Sequence, residues 1–174
     1  MKLMLRCGGV LFAITLIMGA LLGFVNHITA PVIATLAEET RLESMKAVLE
    51  GEIIGDEIAH TPKNASSVTE IIEIPTDKGS AYAVTAAPKG YGGQIKMMIG
   101  LNADAVVTGV SIMEMSETPG LGAKANNSKF LSQFVGENPK IQAITGATIT
   151  SNAVKKGVGD AISQVKLIIK EAVE

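Results

Sequence analysis

Between Ile144 and Ser151 the chain reads Ile-Thr-Gly-Ala-Thr-Ile-Thr-Ser, which places hydroxyls at Thr145, Thr148, Thr150 and Ser151. A threonine hydroxyl is a weak nucleophile on its own, and no Ser–His–Asp or Cys–His set accompanies it. It can nevertheless be esterified, or donate to an anion. The segment that follows favours an anion. Val154, Val158, Ala161, Ile162, Val165, Ile168, Ile169 and Ala172 recur at helical spacing, while Lys155, Asp160, Gln164, Lys166, Lys170 and Glu171 fill the opposite face. The hydroxyl-rich turn thus opens an amphipathic helix, whose first amides lack intrahelical acceptors and carry partial positive charge. Gly146 and Ala147 present little side chain, so a phosphate could approach closely. On the residues alone, the same hydroxyls could simply cap the helix.

Thr-Gly-Ala-Thr-Ile-Thr-Ser resembles the S/T-G-A-T-x-T motif of the FMN-binding subunits of two related membrane complexes. These are the G subunit of the Rnf electron-transport complex and the C subunit of the sodium-translocating NADH:quinone reductase. A second block, Ser116-Glu117-Thr118-Pro119-Gly120-Leu121-Gly122-Ala123, is similar to the family's E-T-P-G-L-G loop, and Gly90-Tyr91-Gly92-Gly93-Gln94-Ile95-Lys96 to its G-Y-G-G strand entry. The three blocks come in family order over roughly the last half of the chain, and the Rnf G subunit is the nearer resemblance. It implies FMN held covalently through a phosphoester to Thr150. Thr145, Gly146, Ala147 and Thr148 would lie near its phosphate or ribityl chain. Leu121 would pack on the flavin ring, and Glu117, Thr118 and Gly120 would meet its polar edge. Tyr91 is a further candidate wall or a core residue. The resemblance also implies a separate flavin transferase using FAD as donor, and neighbouring membrane and iron–sulfur subunits. The chain would then be an electron relay in an ion-translocating ferredoxin:NAD oxidoreductase, with no independent turnover. One departure stands at Gln142, where family members commonly carry Asp.

Readings from other classes are a stand-alone membrane-anchored FMN carrier and a cofactor-free membrane-anchored binding module. Electron relay needs no catalytic acid or base, and the sequence offers no carboxylate pair or histidine cluster. With 174 residues, a net charge of −2 and 3% aromatics, nothing points to nucleic acid. Cys7 is the single cysteine, which excludes an intramolecular disulfide, and it reads as a buried thiol. His27 and His60 lack partners at metal-ligand spacing.

These sites must be carried by elements, and the first is an anchor. The mean hydropathy of +0.34 is high, and the excess lies at the N-terminus. Lys2 and Arg6 precede a stretch from Cys7 to Ala37 without Lys, Arg, Asp or Glu. Cys7–Val25 reads as a membrane-spanning helix rather than a cleaved secretory signal, whose apolar core would be shorter. The basic residues before it, and Glu38 and Glu39 after it, predict a cytoplasmic N-terminus and an extracytoplasmic main domain at the plasma (inner) membrane. Gly19 and Gly23 form a small-residue pair that a partner helix could approach. Pro31 predicts a break or kink. A helix over about Ile33–Glu50 is expected next, with Leu36, Leu42, Met45, Val48 and Leu49 on one face and Gly51 as its stop.

Gly55–Ser67, with Pro62, Asn64 and Ser66, reads as a loop. Strands follow at Glu70–Ile74, Ser80–Ala86, Gln94–Leu101 and Ala105–Met115, joined by short turns, which implies an antiparallel sheet. Ile95, Met97, Ile99 and Leu101 point to one side, Gln94, Lys96 and Met98 to the other. A short helix is expected at Asn127–Phe134, then Pro139 before the threonine turn. The fold class is α+β: an N-terminal transmembrane helix, then an antiparallel sheet packed with helices. The expected division is an anchor over 1–30, a juxtamembrane helix and linker over 31–67, and an extracytoplasmic FMN-binding domain over 68–174.

Overall fold

The computed structural model describes residues 2–63, 67–136 and 140–173. Asn64, Ser66 and Pro139 lie outside the described residues. The chain divides into two compact units, the first running to Thr40 and the second from Arg41 onward.

Helix α1 spans Lys2–Val48 and contains Pro31. Helical structure therefore continues where the sequence predicts a break or kink. Proline costs the helix one amide and crowds the carbonyl four residues back, but in an apolar setting an uncoiled backbone would expose many more unpaired groups. From Arg6 to Thr40 every residue is exposed, Cys7 included, so the thiol lies on the helix surface instead of under protein. Hydroxyls along this stretch fold back on the helix, as in Thr29 Oγ1 donating to the Val25 carbonyl at 2.9 Å and Thr15 Oγ1 to the Phe12 carbonyl at 2.9 Å. This satisfies them without water. Arg6–Val48 is long and apolar enough to cross a membrane, and the chain is membrane-anchored.

The second unit is an antiparallel five-stranded sheet in sequential order: β1 Ile58–His60, β2 Val68–Thr76, β3 Gly79–Ala86, β4 Ile95–Leu101 and β5 Val107–Met115. Strand β1 is an addition to the sequence reading, which has a loop there. Three residues are too few to show alternation, and β1 exists by pairing with β2, where His60 meets Glu73 at 2.9 Å. The fifth strand also begins later than expected. Asn102 Oδ1 accepts the amides of Asp104 and Val106, both at 3.0 Å, and Ala105 takes a left-handed φ of 57°, so these residues belong to the turn.

Both faces of the sheet are covered. One bears Ile71, Val84, Ile95, Met97, Ile99 and Leu101, and meets Val154, Val158, Ala161 and Val165 of helix α3, Thr148–Val173. Short helix α2, Ser128–Leu131, is capped by the Asn127 side chain and followed by a 3-10 turn over Ser132–Phe134; Phe130 and Phe134 stack edge-on beneath it. The other face buries Ile72, Ile74, Ala83 and Met98 under Met45 and Val48. Leu36 and Leu42, expected on the same apolar stripe, are exposed. The last turns of α1 reach the sheet through a slot. Gly100 and Gly109 pair across β4 and β5, and a Cβ at Gly109 would stand 2.7 Å from Val48 Cα. Thr108 Oγ1 donates to the Val48 carbonyl at 2.6 Å, satisfying a helix-terminal acceptor.

Candidate functional site

The site forms where three irregular segments meet at one end of the sheet: the Gly90–Gln94 turn entering β4, the Ser116–Gly122 loop leaving β5, and the N-terminus of α3. Glu117 is their common point. Its carboxylate is buried, with Oε1 accepting the amides of Tyr91 at 2.9 Å and Gly92 at 3.1 Å. Oε2 accepts the hydroxyl of Thr150 at 2.8 Å. Such charge-assisted bonds are about twice as strong as neutral ones. They explain how a carboxylate can sit at a sheet end away from bulk water.

Glycines permit this convergence. A Cβ at Gly122 would stand 2.8 Å from Thr150 Oγ1 and 2.9 Å from Glu117 Cβ, closer than side chains pack. A Cβ at Gly92 would collide with the Ser116 carbonyl. These residues are therefore glycine for packing around Glu117 and Thr150, a reason invisible in the linear motif.

The hydroxyls of the threonine turn divide their tasks. Ser151 Oγ accepts the Ile144 amide at 3.0 Å and donates to the Ala147 carbonyl at 2.9 Å, locking the turn into the helix. Thr150 does not cap: its hydroxyl points to a carboxylate, and the residue is 1% exposed. Thr148 is exposed. Lys156 is engaged with Asp160 at 2.7 Å rather than turned to the helix N-terminus. Gln142 is exposed and its amide donates to Gln133 Oε1 at 2.8 Å.

Above Thr150 opens a cavity of about 540 Å³, lined by Tyr91, Glu117, Thr118, Leu121, Gly122, Gly146, Ala147, Thr148, Ile149 and Thr150. That volume lies within the range typical of cofactor pockets, ~300–1,000 Å³. Its rim is apolar and open: Tyr91 is 71% exposed, Ile149 56% and Leu121 47%. Leu121 also lies against the threonine turn, with its Cδ2 3.3 Å from where a Cβ of Gly146 would be. A wall of exposed Tyr, Ile and Leu around a polar floor suits a flat apolar ring joined to an anionic tail.

Of the residues expected from the sequence, the cavity brings together Glu117, Thr118, Leu121, Gly146, Ala147, Thr148 and Thr150, but not Thr145 or Gly120. Thr145 precedes the helix and is exposed, and Gly120 forms a bend of its loop with φ +77°; neither lines the cavity. Tyr91 belongs to the cavity wall and not to the core. Ile149 and Gly122 are additions. Ile149 could have been found from helical spacing, since it is an apolar residue on the face opposite the core stripe.

A model of the FMN-binding domain matches residues 90–163, the span that contains all three segments. The G subunit of the Na(+)-translocating ferredoxin:NAD(+) oxidoreductase complex of Acetobacterium woodii is 32% identical, over 92% of this chain and 91% of that protein. The G subunit of the proton-translocating ferredoxin:NAD(+) oxidoreductase complex of Clostridium ljungdahlii is 35% identical, over 86% of this chain and 84% of that protein. Among solved structures, the C subunit of the Na(+)-translocating NADH-quinone reductase of Parabacteroides distasonis shares the fold, with a TM-score of 0.56 at 14% identity, covering 76% of this chain and 94% of that one.

Proposed function

Because the chain belongs to the G-subunit family of ion-translocating ferredoxin:NAD oxidoreductase complexes, we propose that it is the FMN-carrying electron relay of such a complex, with the flavin esterified to Thr150. The observation that carries this is the Thr150 hydroxyl, held at the base of an apolar-rimmed cavity by Glu117 at 2.8 Å. FMN supplies one- and two-electron chemistry when bound. The protein's part is placement. Thr150 fixes the phosphate end, and the first-turn amides of α3 favour the remaining negative charge by about 0.3–1 kcal/mol. Leu121, Tyr91 and Ile149 give the ring apolar surface, while Thr118 and Thr148 offer hydroxyls to its polar parts. A covalent link prevents loss of the cofactor and limits the ring's distance from its redox partners.

A flavin transferase makes the ester, using FAD as donor. Other subunits of the complex, with iron–sulfur centres among them, deliver and accept electrons. The N-terminus is cytoplasmic and the flavin domain, residues 68–174, extracytoplasmic; Lys2 and Arg6 before the apolar run and Glu38 and Glu39 after it support that sense. Residues 1–30 anchor the chain and 31–67 link the anchor to the flavin domain. The test is mass spectrometry and in-gel fluorescence on the chain purified from its native host. The expected result is the mass of FMN less water on the peptide holding Thr150, absent in Thr150→Ala. A colourless polypeptide of unmodified mass from transferase-competent cells would overturn the reading.

A further inference from the structure

Three observations single out Glu117. Its Oε2 is the acceptor of the Thr150 hydroxyl proton at 2.8 Å. The amides of Tyr91 and Gly92 hold Oε1, so the carboxylate cannot rotate freely away from that hydroxyl. Gly122 allows the approach, because any side chain there would press on both groups. In the unmodified chain Glu117 is thus engaged with Thr150 and with two backbone amides, contacts that its sequence assignment to the ring's polar edge did not include.

We infer that Glu117 is the general base for the esterification of Thr150, so that the acceptor protein brings half of the catalytic machinery for its own modification. The inference rests on the reading of Thr150 as the attachment site. In the step, Thr150 Oγ attacks the flavin-side phosphorus of FAD, forming the Oγ–P bond as the bond from that phosphorus to the bridging oxygen breaks. AMP leaves with the bond pair, and the hydroxyl proton passes to Glu117 Oε2; no electrons are exchanged with an oxidant. Protonated Glu117 then stands beside the new phosphodiester as a donor. Two adjacent anions are thereby avoided. A threonine with no basic neighbour would be a poor nucleophile near neutral pH; a positioned acceptor typically adds about 10²–10⁴-fold.

The experiment follows single-turnover flavin attachment to the full-length, detergent-solubilised chain, given FAD and the native host's transferase, by intact mass over time. Wild type, Glu117→Gln and Glu117→Asp are compared, with circular dichroism and thermal melting as folding checks. In E117Q the single carbonyl oxygen stays with the Tyr91 and Gly92 amides, so the side-chain NH2 faces the Thr150 oxygen as a donor and the proton acceptor is gone. The expected result is attachment slowed about 100-fold or more in E117Q, with partial recovery in E117D. Equal rates for E117Q and wild type would overturn the role of Glu117 and leave Thr150 as the site. A wild-type chain that gains no flavin mass would overturn both. If E117Q misfolds, E117D decides: slowed attachment in a folded E117D, whose shorter side chain draws the carboxylate back from the Thr150 hydroxyl, supports the role, and a rate equal to wild type overturns it.

Discussion

At the scale of single residues, the site separates side chains that build the cavity from those that border it. Gly122 builds it. Alanine there would place a methyl 2.8 Å from Thr150 Oγ1 and 2.9 Å from Glu117 Cβ, and overpacking of this kind costs about 1–3 kcal/mol. Gly122→Ala should lower the melting temperature and slow flavin attachment together; an unchanged melt would show that the loop yields without cost. Leu121 borders the cavity and is half exposed. Leu121→Ala should leave stability within about 0.5 kcal/mol, yet change the absorption and fluorescence of bound flavin by removing apolar cover from the ring. A spectrum identical to wild type would place the ring elsewhere.

At the scale of elements, two seams join the helices to the sheet. The end of α1 enters the Gly100–Gly109 slot and is tied by Thr108 to the Val48 carbonyl. Thr108→Val should cost about 1 kcal/mol through the lost hydrogen bond, with faster amide exchange confined to the last turns of α1 as the readout. The other seam ties α3 to the segment before β2. Asp160 Oδ2 accepts the Ser67 amide at 2.9 Å and the Ser67 hydroxyl at 2.6 Å, and Lys156 Nζ stands 2.7 Å away. Burial alone would raise the Asp160 carboxyl, but the bonds from Lys156 and Ser67, with the Lys156 charge, outweigh it and hold the group below its ordinary value. A carboxyl depressed in the folded state contributes stability that is present above its unfolded value of about 3.9 and is lost as pH falls through the lower folded value. Asp160→Asn should therefore destabilise the protein at neutral pH and flatten its loss of stability in acid. Denaturant midpoints across pH 2–7 check this, and parallel curves for the two proteins would exclude the contribution.

At the scale of the whole molecule, the chain divides into two compact units at Thr40–Arg41, a boundary that falls inside α1. The contacts that stabilise the sheet's second face come from Met45 and Val48, both beyond that boundary. Removing residues 1–40 should release the remainder from membranes into the soluble fraction, with its melting transition retained. Removing residues 1–50 should expose Ile72, Ile74, Ala83 and Met98 and cost much of the fold's stability. Fractionation and melting of the two truncated chains distinguish these outcomes, and equal melts would show that the end of α1 is dispensable to the sheet.

The periodic and compositional signals determined a good deal by themselves. The alternation in Gln94–Leu101 and the helical stripe from Val154 reflect burial along one element, and the apolar run before Glu38 reflects a helix suited to a membrane rather than to a protein core; a linear pattern records each directly. The threonine turn and the E-T-P-G-L-G loop were readable through the family resemblance they carry; by their residue types alone they could have been a helix cap and an ordinary turn. Only tertiary structure decided that Met98 is covered, that Ile58–His60 pairs as a strand and that Tyr91 borders a cavity. It alone turned Glu117 inward to Thr150, thirty-three positions along the chain. The physical reason is common to all four. Periodicity states how a segment divides its own faces, but the occupant of each face, and the partner of each polar group, is fixed by segments distant in sequence that arrive together only when the sheet closes.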